Sequence, residues 1–168
     1  LGRICSVVFL TNLYIATASI FQNRYLKDDR GYSAALVAIF TVVTSSPASL
    51  GLVLGGRIAD ERGRRILGTV LVPIGAFLLA LSFSVSGPLM WVVAILGGFA
   101  FGLSYPALAV YRGELFPTGV RGLAGGIIMT SALVGGSLGL IGAGRVLDTG
   151  VSYGTVMMCL VLGPLIAS

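Results

Sequence analysis

The sequence of 168 residues contains no histidine and only two cysteines. The absence of histidine removes most schemes of general acid–base and metal-dependent catalysis. Cys5 and Cys159 each lie inside an apolar run, so neither a disulfide framework nor a metal site is expected. We therefore expect a protein that is not an enzyme and that uses no cofactor and no metal ion.

Charge is also scarce. Charged residues make up 10% of the chain, where a soluble domain has about 25%, and the mean hydropathy is +1.00. The 11 basic residues outnumber the 6 acidic ones. They are scattered singly or gathered at one turn and form no basic face, so nucleic acid is not an expected partner. This composition indicates a membrane protein.

Long runs without charge cover most of the chain. A helix needs ~20 residues to cross ~30 Å of hydrocarbon, and six segments are close to this length. They are 4–22, 33–56, 66–86, 88–111, 122–144 and 151–168. Strands of a membrane barrel would alternate polar and apolar residues instead. We expect an all-α membrane protein in which six transmembrane helices form a single bundle over residues 1–168.

The basic residues divide unequally between the two sides of such a bundle. One side carries seven: Arg3, the four arginines between 57 and 65, Arg112 and Arg121. The other carries four: Arg24, Lys27, Arg30 and Arg145. Because cytoplasmic loops are enriched in Lys and Arg, the first side is predicted to be cytoplasmic. Both ends then lie in the cytoplasm, and the expected location is a plasma or bacterial inner membrane.

A short pattern recurs at matching positions. The residues GRIAD, 56–60, end the second segment, and GRVLD, 144–148, end the fifth. A glycine follows each within three residues, at Gly63 and Gly150. Each pattern occupies the same place in a unit of three helices, and an odd number of helices gives the two units opposite orientations. This predicts a three-plus-three inverted repeat, a feature of secondary transporters.

Two stretches resemble loop signatures of the major facilitator superfamily. The first is GGRIADERGRR, 55–65, which has the signature's G-x-x-x-D-x-x-G-R-R spacing, with Glu61 where the signature has a cation. The second is YRGELFPTGVRGLAG, 111–125, which is similar to the loop between the tenth and eleventh helices of organic-ion, metabolite and sugar porters. The resemblance implies the C-terminal six-helix half of a twelve-helix transporter.

The same resemblance implies transport of a small organic solute by alternating access, including symport. Its implied partners are a small-molecule substrate, the lipid bilayer and an N-terminal six-helix half. The start at Leu1 and the end in an apolar run agree with the expectation of a fragment. No G-x-x-x-x-G-K-[ST] loop is present to bind ATP. Two alternatives stay open: a non-transporting receptor or structural membrane protein of this fold, and a self-sufficient six-helix protein that dimerises.

The clustered charges predict a conformational latch. Acidic residues contribute little to topology, so their presence beside arginines indicates pairs that form in one arrangement of the helices and break in another. The predicted latch residues are Gly56, Asp60, Gly63, Arg64, Arg65, Glu114 and Arg121. Alternatively, the arginines anchor the loop to anionic lipid, which is the interpretation we prefer for Arg57 and Arg62.

Uncharged polar residues are the candidates for substrate binding, because no charged residue lies in the middle third of any segment. Asn12, Ser19 and Asn23 follow a helical stripe that Gln22 borders. Ser104 and Tyr105, with the neighbouring Phe101, form a second candidate wall. Hydrogen bonds between helices would equally explain the stripe, and packing would explain the aromatic residues.

Four G-x-x-x-G pairs predict close contacts between helices: Gly51/Gly55, Gly98/Gly102, Gly122/Gly126 and Gly135/Gly139. Such pairs can join two copies of a protein, but we expect contacts within the bundle.

Overall fold

The computed structural model describes residues 1–114 and 116–167, and the side chains of all of these except 62, 64–66 and 107–114. All regular secondary structure in this described part is α-helical, as predicted. The helices are α1 Gly2–Asp28, α2 Ala34–Arg62, α3 Arg64–Ser82, α4 Pro88–Glu114, α5 Arg121–Asp148, α6 Tyr153–Leu160 and α7 Leu162–Ala167.

Most helices are longer than the uncharged segments that predicted them. For example, α1 continues through Arg24 and Lys27 to Asp28, and α5 continues through Arg145. The reason is that absence of charge marks only the hydrocarbon layer, whereas helical hydrogen bonding continues where charged side chains are hydrated. Within the described residues, four helical stretches are long and apolar enough to cross a membrane: Gly2–Asp28, Ala34–Glu61, Pro88–Pro106 and Arg121–Asp148.

The last segment differs from its prediction. Where one helix was expected over 151–168, the structure has the two short helices α6 and α7, separated at Val161. Pro164 has no N–H to donate to the carbonyl of Leu160, which weakens the helix at this point. Pro47, Pro73 and Pro106, by contrast, lie inside α2, α3 and α4, which continue past them.

Two glycines at matching positions reverse the chain. Gly63 follows α2 with φ 91° and Gly150 lies after α5 with φ 86°. The N–H of Gly63 donates to the carbonyl of Ala59 at 3.2 Å. Side chains disfavour this left-handed conformation, so glycine is required there. We call the end of the bundle with the turn between α2 and α3 the Gly63 end. The opposite end, with the connections 29–33, 83–87 and 149–152, is called the Arg30 end.

The helices pair in a definite order. α1 packs most extensively along α5, and α4 packs along both α2 and α3. The main buried core lies between α1, α3, α4 and α6 and includes Tyr14, Phe21, Phe83, Met90 and Met157. The Tyr14 hydroxyl donates to the carbonyl of Ala76 at 2.8 Å, which satisfies the polar atom of this buried ring.

Glycines bring α2 and α4 into backbone contact. A Cβ at Gly98 would lie 2.9 Å from a carbonyl oxygen of α2, and a Cβ at Gly102 would overlap the backbone at Ala48. Gly51 and Gly55 of α2 approach the α4 backbone in the same way. Both of these pairs therefore make the predicted contact within the bundle.

The other two glycine pairs lie on α5 and differ from each other. A Cβ at Gly135 or Gly139 would overlap the backbone of α1, so this pair also packs within the bundle. A Cβ at Gly122 or Gly126 would meet no atom within 4 Å. The prediction of a contact within the bundle is therefore wrong for Gly122 and Gly126, which lie on an open face of α5.

Gly102→Ala should lower the melting temperature of the detergent-purified protein. Gly142→Ala is the matched control, because a Cβ there would meet nothing within 4 Å and both changes bring the same gain in helix propensity, up to ~1 kcal/mol. Only the Gly102 variant also overpacks a helix contact, at a cost of ~1–3 kcal/mol. Equal melting temperatures for the two variants would contradict the α2–α4 contact.

Candidate functional site

A cleft of about 570 Å³ lies between α1, α2 and α4. Uncharged polar side chains of α1 and α2 line part of it: Ser19, Gln22, Asn23, Thr41, Thr44 and Ser45. Apolar and small residues of α3 and α4 line the rest, among them Leu79, Phe83 and Gly98. None of the described residues that line the cleft is charged. The cleft is thus a neutral site that offers hydroxyl and amide groups beside an apolar surface.

The wall from α1 follows from helical spacing. Ser19, Gln22 and Asn23 stand at i, i+3 and i+4, which places them on one face of the helix. Thr17 and Phe21, on the other face, are buried and fix the rotation of α1. Three of the predicted stripe residues are thereby brought together in the cleft.

The wall from α2 was not among the sequence candidates. Thr41, Thr44 and Ser45 have the same i, i+3, i+4 spacing as the α1 residues, and this signal could have identified them. The hydroxyls of Thr44 and Ser45 donate to carbonyls four residues earlier, at 2.8 and 2.5 Å. Carbonyls of the same helix therefore satisfy these hydroxyl donors, while the hydroxyl oxygens can still accept hydrogen bonds.

One polar contact joins the two walls. The Thr41 hydroxyl lies 3.5 Å from Oδ1 of Asn23 and 2.9 Å from the carbonyl of Val37. Since the contact with its own helix is shorter, the hydroxyl holds the Asn23 amide only weakly. An amide carries two donor hydrogens and an acceptor oxygen, so Asn23 can reorient toward a solute.

Of the two solute-binding candidates on α4, Tyr105 and Ser104, only Tyr105 lines the cleft. Tyr105 lines the cleft and is 67% exposed, next to the ring of Phe101. Ser104 is 1% exposed, donates to the carbonyl of Phe101 at 2.9 Å, and does not line the cleft. Successive helical residues point about 100° apart, which explains why one of these neighbours faces the cleft and the other faces the bundle.

Asn12 lies outside the cleft as well. Its Nδ2 donates to the carbonyl of Val8 at 3.1 Å within α1. At this level α5 covers α1, since a Cβ at Gly136 would lie 3.8 Å from the Asn12 carbonyl oxygen. The structure therefore brings together Ser19, Gln22, Asn23 and Tyr105 and leaves Asn12 and Ser104 apart from them.

The predicted latch lies at the Gly63 end. Asp60 is exposed near the end of α2, and Arg121 is exposed at the start of α5. Gly56 is half-buried, and a Cβ on it would meet nothing within 4 Å. The side chains of Arg64, Arg65 and Glu114 lie outside the described residues. The turn at Gly63 is thus established by the structure, and the latch stays a prediction.

Comparison with known proteins assigns one family across the chain. The family profile of the Major Facilitator Superfamily matches residues 4–167. The chain is 31% identical over 106 residues to a cis,cis-muconate transport protein of Acinetobacter baylyi, an alignment that covers 60% of this chain and 24% of the relative. It is 34% identical over 109 residues to plastidic glucose transporter 4 of Arabidopsis thaliana, covering 62% and 20% respectively. The matched region spans about a fifth to a quarter of these relatives.

Cysteine labelling should distinguish the two serines that the structure separates. With Cys5 and Cys159 replaced by alanine, a water-soluble maleimide should label Ser45→Cys about tenfold faster than Ser104→Cys, since the first lines the cleft and the second is buried. Labelling rates followed by mass spectrometry provide the measurement. Equal rates would show that the cleft is not open to water.

Proposed function

The chain belongs to the Major Facilitator Superfamily, and from this premise we propose that it forms part of a secondary active transporter. The proposed protein moves a small organic solute across a cell membrane by alternating access. The observation that carries the proposal is the neutral cleft between α1, α2 and α4, which is lined by hydroxyl and amide groups. Around it the bundle exposes large aliphatic side chains such as Leu50, Leu133 and Ile166, as a surface in contact with lipid tails does.

The proposed solute contacts are Ser19, Gln22, Asn23 and Tyr105, with Thr41 and Ser45 added from the structure. Amides and hydroxyls both donate and accept hydrogen bonds, so they suit the hydroxyl or carboxylate oxygens of a small solute. One relative is named for cis,cis-muconate, a dicarboxylate, and the other for glucose, a neutral sugar. Asn12 and Ser104 stay predictions made from the sequence.

We further propose the three-plus-three inverted repeat, with α1–α3 as one unit and α4–α7 as the other. Two equivalent contacts support it. Gly139 of α5 approaches the backbone of α1 at Leu13, and Gly51 of α2 approaches the backbone of α4 at Phe99. If α1–α3 were superimposed on α4–α7, the contact of α5 with α1 would correspond to the contact of α2 with α4. The left-handed glycines that follow α2 and α5 also correspond under this exchange.

In the proposed arrangement this chain is the C-terminal half of a twelve-helix protein, and a second six-helix half completes the site. This arrangement is supported by the alignments, which cover only 24% and 20% of the two relatives. The open face of α5 at Gly122 and Gly126 offers a surface where helices of that half can approach closely. The excess of basic residues at the Gly63 end supports a cytoplasmic location for that end in a plasma or bacterial inner membrane.

Uptake by proteoliposomes that contain the complete protein tests the proposed function. Labelled glucose and labelled cis,cis-muconate are the probes. Asn23→Ala should raise the KM of the transported probe about two- to tenfold, because it removes one hydrogen-bonding group from the cleft. The comparison is Asn12→Ala, which alters the same residue type on the same helix outside the cleft, and for which we expect a smaller change in KM.

A larger effect of Asn12→Ala than of Asn23→Ala would favour the sequence stripe over the cleft as the binding surface. Saturable binding of a probe without uptake would contradict transport and favour a receptor of this fold.

We also propose that the charges at the Gly63 end form the latch. Asp60→Asn should slow uptake about tenfold without reducing protein abundance, since a bias of ~1.4 kcal/mol changes a two-state ratio tenfold. The population should shift toward the inward-open form. Asp148→Asn is the matched control, because Asp148 ends the equivalent pattern at the opposite end of the bundle.

The population is measured through labelling of the cysteine in Ser45→Cys from the cytoplasmic side. If Asp60→Asn leaves both this labelling and the uptake rate unchanged, the charge cluster serves only to anchor the loop.

A further inference from the structure

We propose that Arg30 is a positioning residue that fixes the width of the cleft at the Arg30 end. It does so by joining the end of α1 to the connection between α3 and α4. The inference rests on the proposed function, in which the cleft is the solute site. Neither loop signature in the sequence includes Arg30. The positive charge of Arg30 alone does not explain the contacts that its side chain makes.

The backbone places Arg30 in one position. The N–H groups of Asp29 and Arg30 both donate to the carbonyl of Tyr25, at 3.0 and 3.3 Å. Gly31 follows with φ 64°, and the N–H of Tyr32 donates back to Leu26 at 3.0 Å. A left-handed glycine, followed by a backbone hydrogen bond that reaches six residues back, closes a helix in a fixed geometry. Arg30 therefore leaves α1 in a direction that the helix end determines.

The guanidinium then joins two separate parts of the chain. Nε and Nη2 donate to the hydroxyl of Tyr25 at 2.8 and 2.5 Å. Nη2 also donates to the backbone carbonyl of Val85 at 2.9 Å, 55 residues away in the sequence. Arg30 is half-buried and Tyr25 is 4% exposed, so water competes poorly for these bonds.

These contacts extend to the wall of the cleft. The ring of Tyr25 lies 5.1 Å from the ring of Phe83, which lines the cleft and caps α3 two residues before Val85. Tyr25 also follows Gln22 and Asn23 within one turn of α1. Arg30 thus holds the part of α1 that carries the amides against the end of α3 that carries Phe83.

Phe83 has a second role in this arrangement. It also lines a separate cleft of about 650 Å³ at the Arg30 end, together with Tyr25, Arg30 and Tyr153. The ring of Tyr153, from α6, lies 5.6 Å from that of Tyr25. Phe83 is therefore the wall between the two clefts, and the Tyr25–Arg30 pair supports this wall from behind.

A neighbouring arginine provides the control. Arg24 lies in the last two turns of α1 and pairs with Asp28 at 3.3 Å, but both side chains are at least half exposed. An exposed pair within one helix turn contributes little. Replacement of Arg24 removes the same charge from the same end of the protein without releasing the contact with Val85.

The experiment compares Arg30→Gln and Tyr25→Phe with Arg24→Gln in the complete protein without Cys5 and Cys159. Tyr25→Phe keeps the ring and removes only the hydroxyl, so it preserves folding if Arg30→Gln does not. Each variant also carries Ser82→Cys, a buried position next to Phe83. Maleimide labelling of this cysteine should rise about tenfold in Arg30→Gln and Tyr25→Phe and stay unchanged in Arg24→Gln, because loss of the charged hydrogen bonds frees the wall to open.

In proteoliposomes the same two variants should raise the KM of the transported probe, glucose or cis,cis-muconate, about threefold or more with little change in the maximal rate, since misplaced side chains bind less well. The proposal is overturned if labelling stays as in the parent or if Arg24→Gln raises it equally. It is also overturned if labelling rises while the KM stays constant. Absence of uptake by the parent protein would overturn the proposed function instead, and labelling alone would then decide whether Arg30 holds Phe83.

Discussion

The close approach of helix backbones at glycine is the constraint on which the rest of this structure depends. Hydrocarbon offers backbone groups no water, so the chain must form helices, and helices in lipid associate through packing rather than through a hydrophobic drive. Gly98 and Gly102 bind α4 to α2, while Gly135 and Gly139 bind α5 to α1. Because these pairings draw α1 and α2 toward different partners, the two helices contact each other little and a cleft opens between them.

A cleft in a membrane protein has to tolerate polar groups both with and without a solute. The hydroxyls of Thr44 and Ser45 meet this condition by donating to their own helix. The amides of Gln22 and Asn23 have more hydrogen-bonding groups than Thr41 can satisfy, so water or a solute has to complete them. In the proposed site, the hydroxyls of α2 therefore stabilise the wall, and the amides of α1 provide the contacts that adapt to a solute.

The sequence predicted most of the helices and four of the six residues that we propose as solute contacts, and the reasons why it missed the others are physical. Charge-free runs reveal where hydrocarbon lies but not where helical hydrogen bonding stops, so Arg24 and Arg145 fell outside segments whose helices include them. Helical periodicity places Asn12 on the same stripe as Asn23 but cannot show that α5 covers one of them. For the same reason Gly122/Gly126 and Gly98/Gly102 are identical patterns with different surroundings, which only the tertiary arrangement distinguishes.

The side-chain contacts described at the two ends of the bundle differ, and this difference bears on how the proposed transporter moves. At the Arg30 end, the rings of Tyr25, Phe83 and Tyr153 pack together and a half-buried arginine joins two connections. To open such an end would expose aromatic surface and leave buried polar groups unpaired. The Gly63 end carries exposed charges such as Asp60 and Arg121, whose interactions water and salt readily replace. In the proposed transporter, the charged end is therefore the part that changes its contacts, and the aromatic Arg30 end moves with the proposed solute wall as one unit.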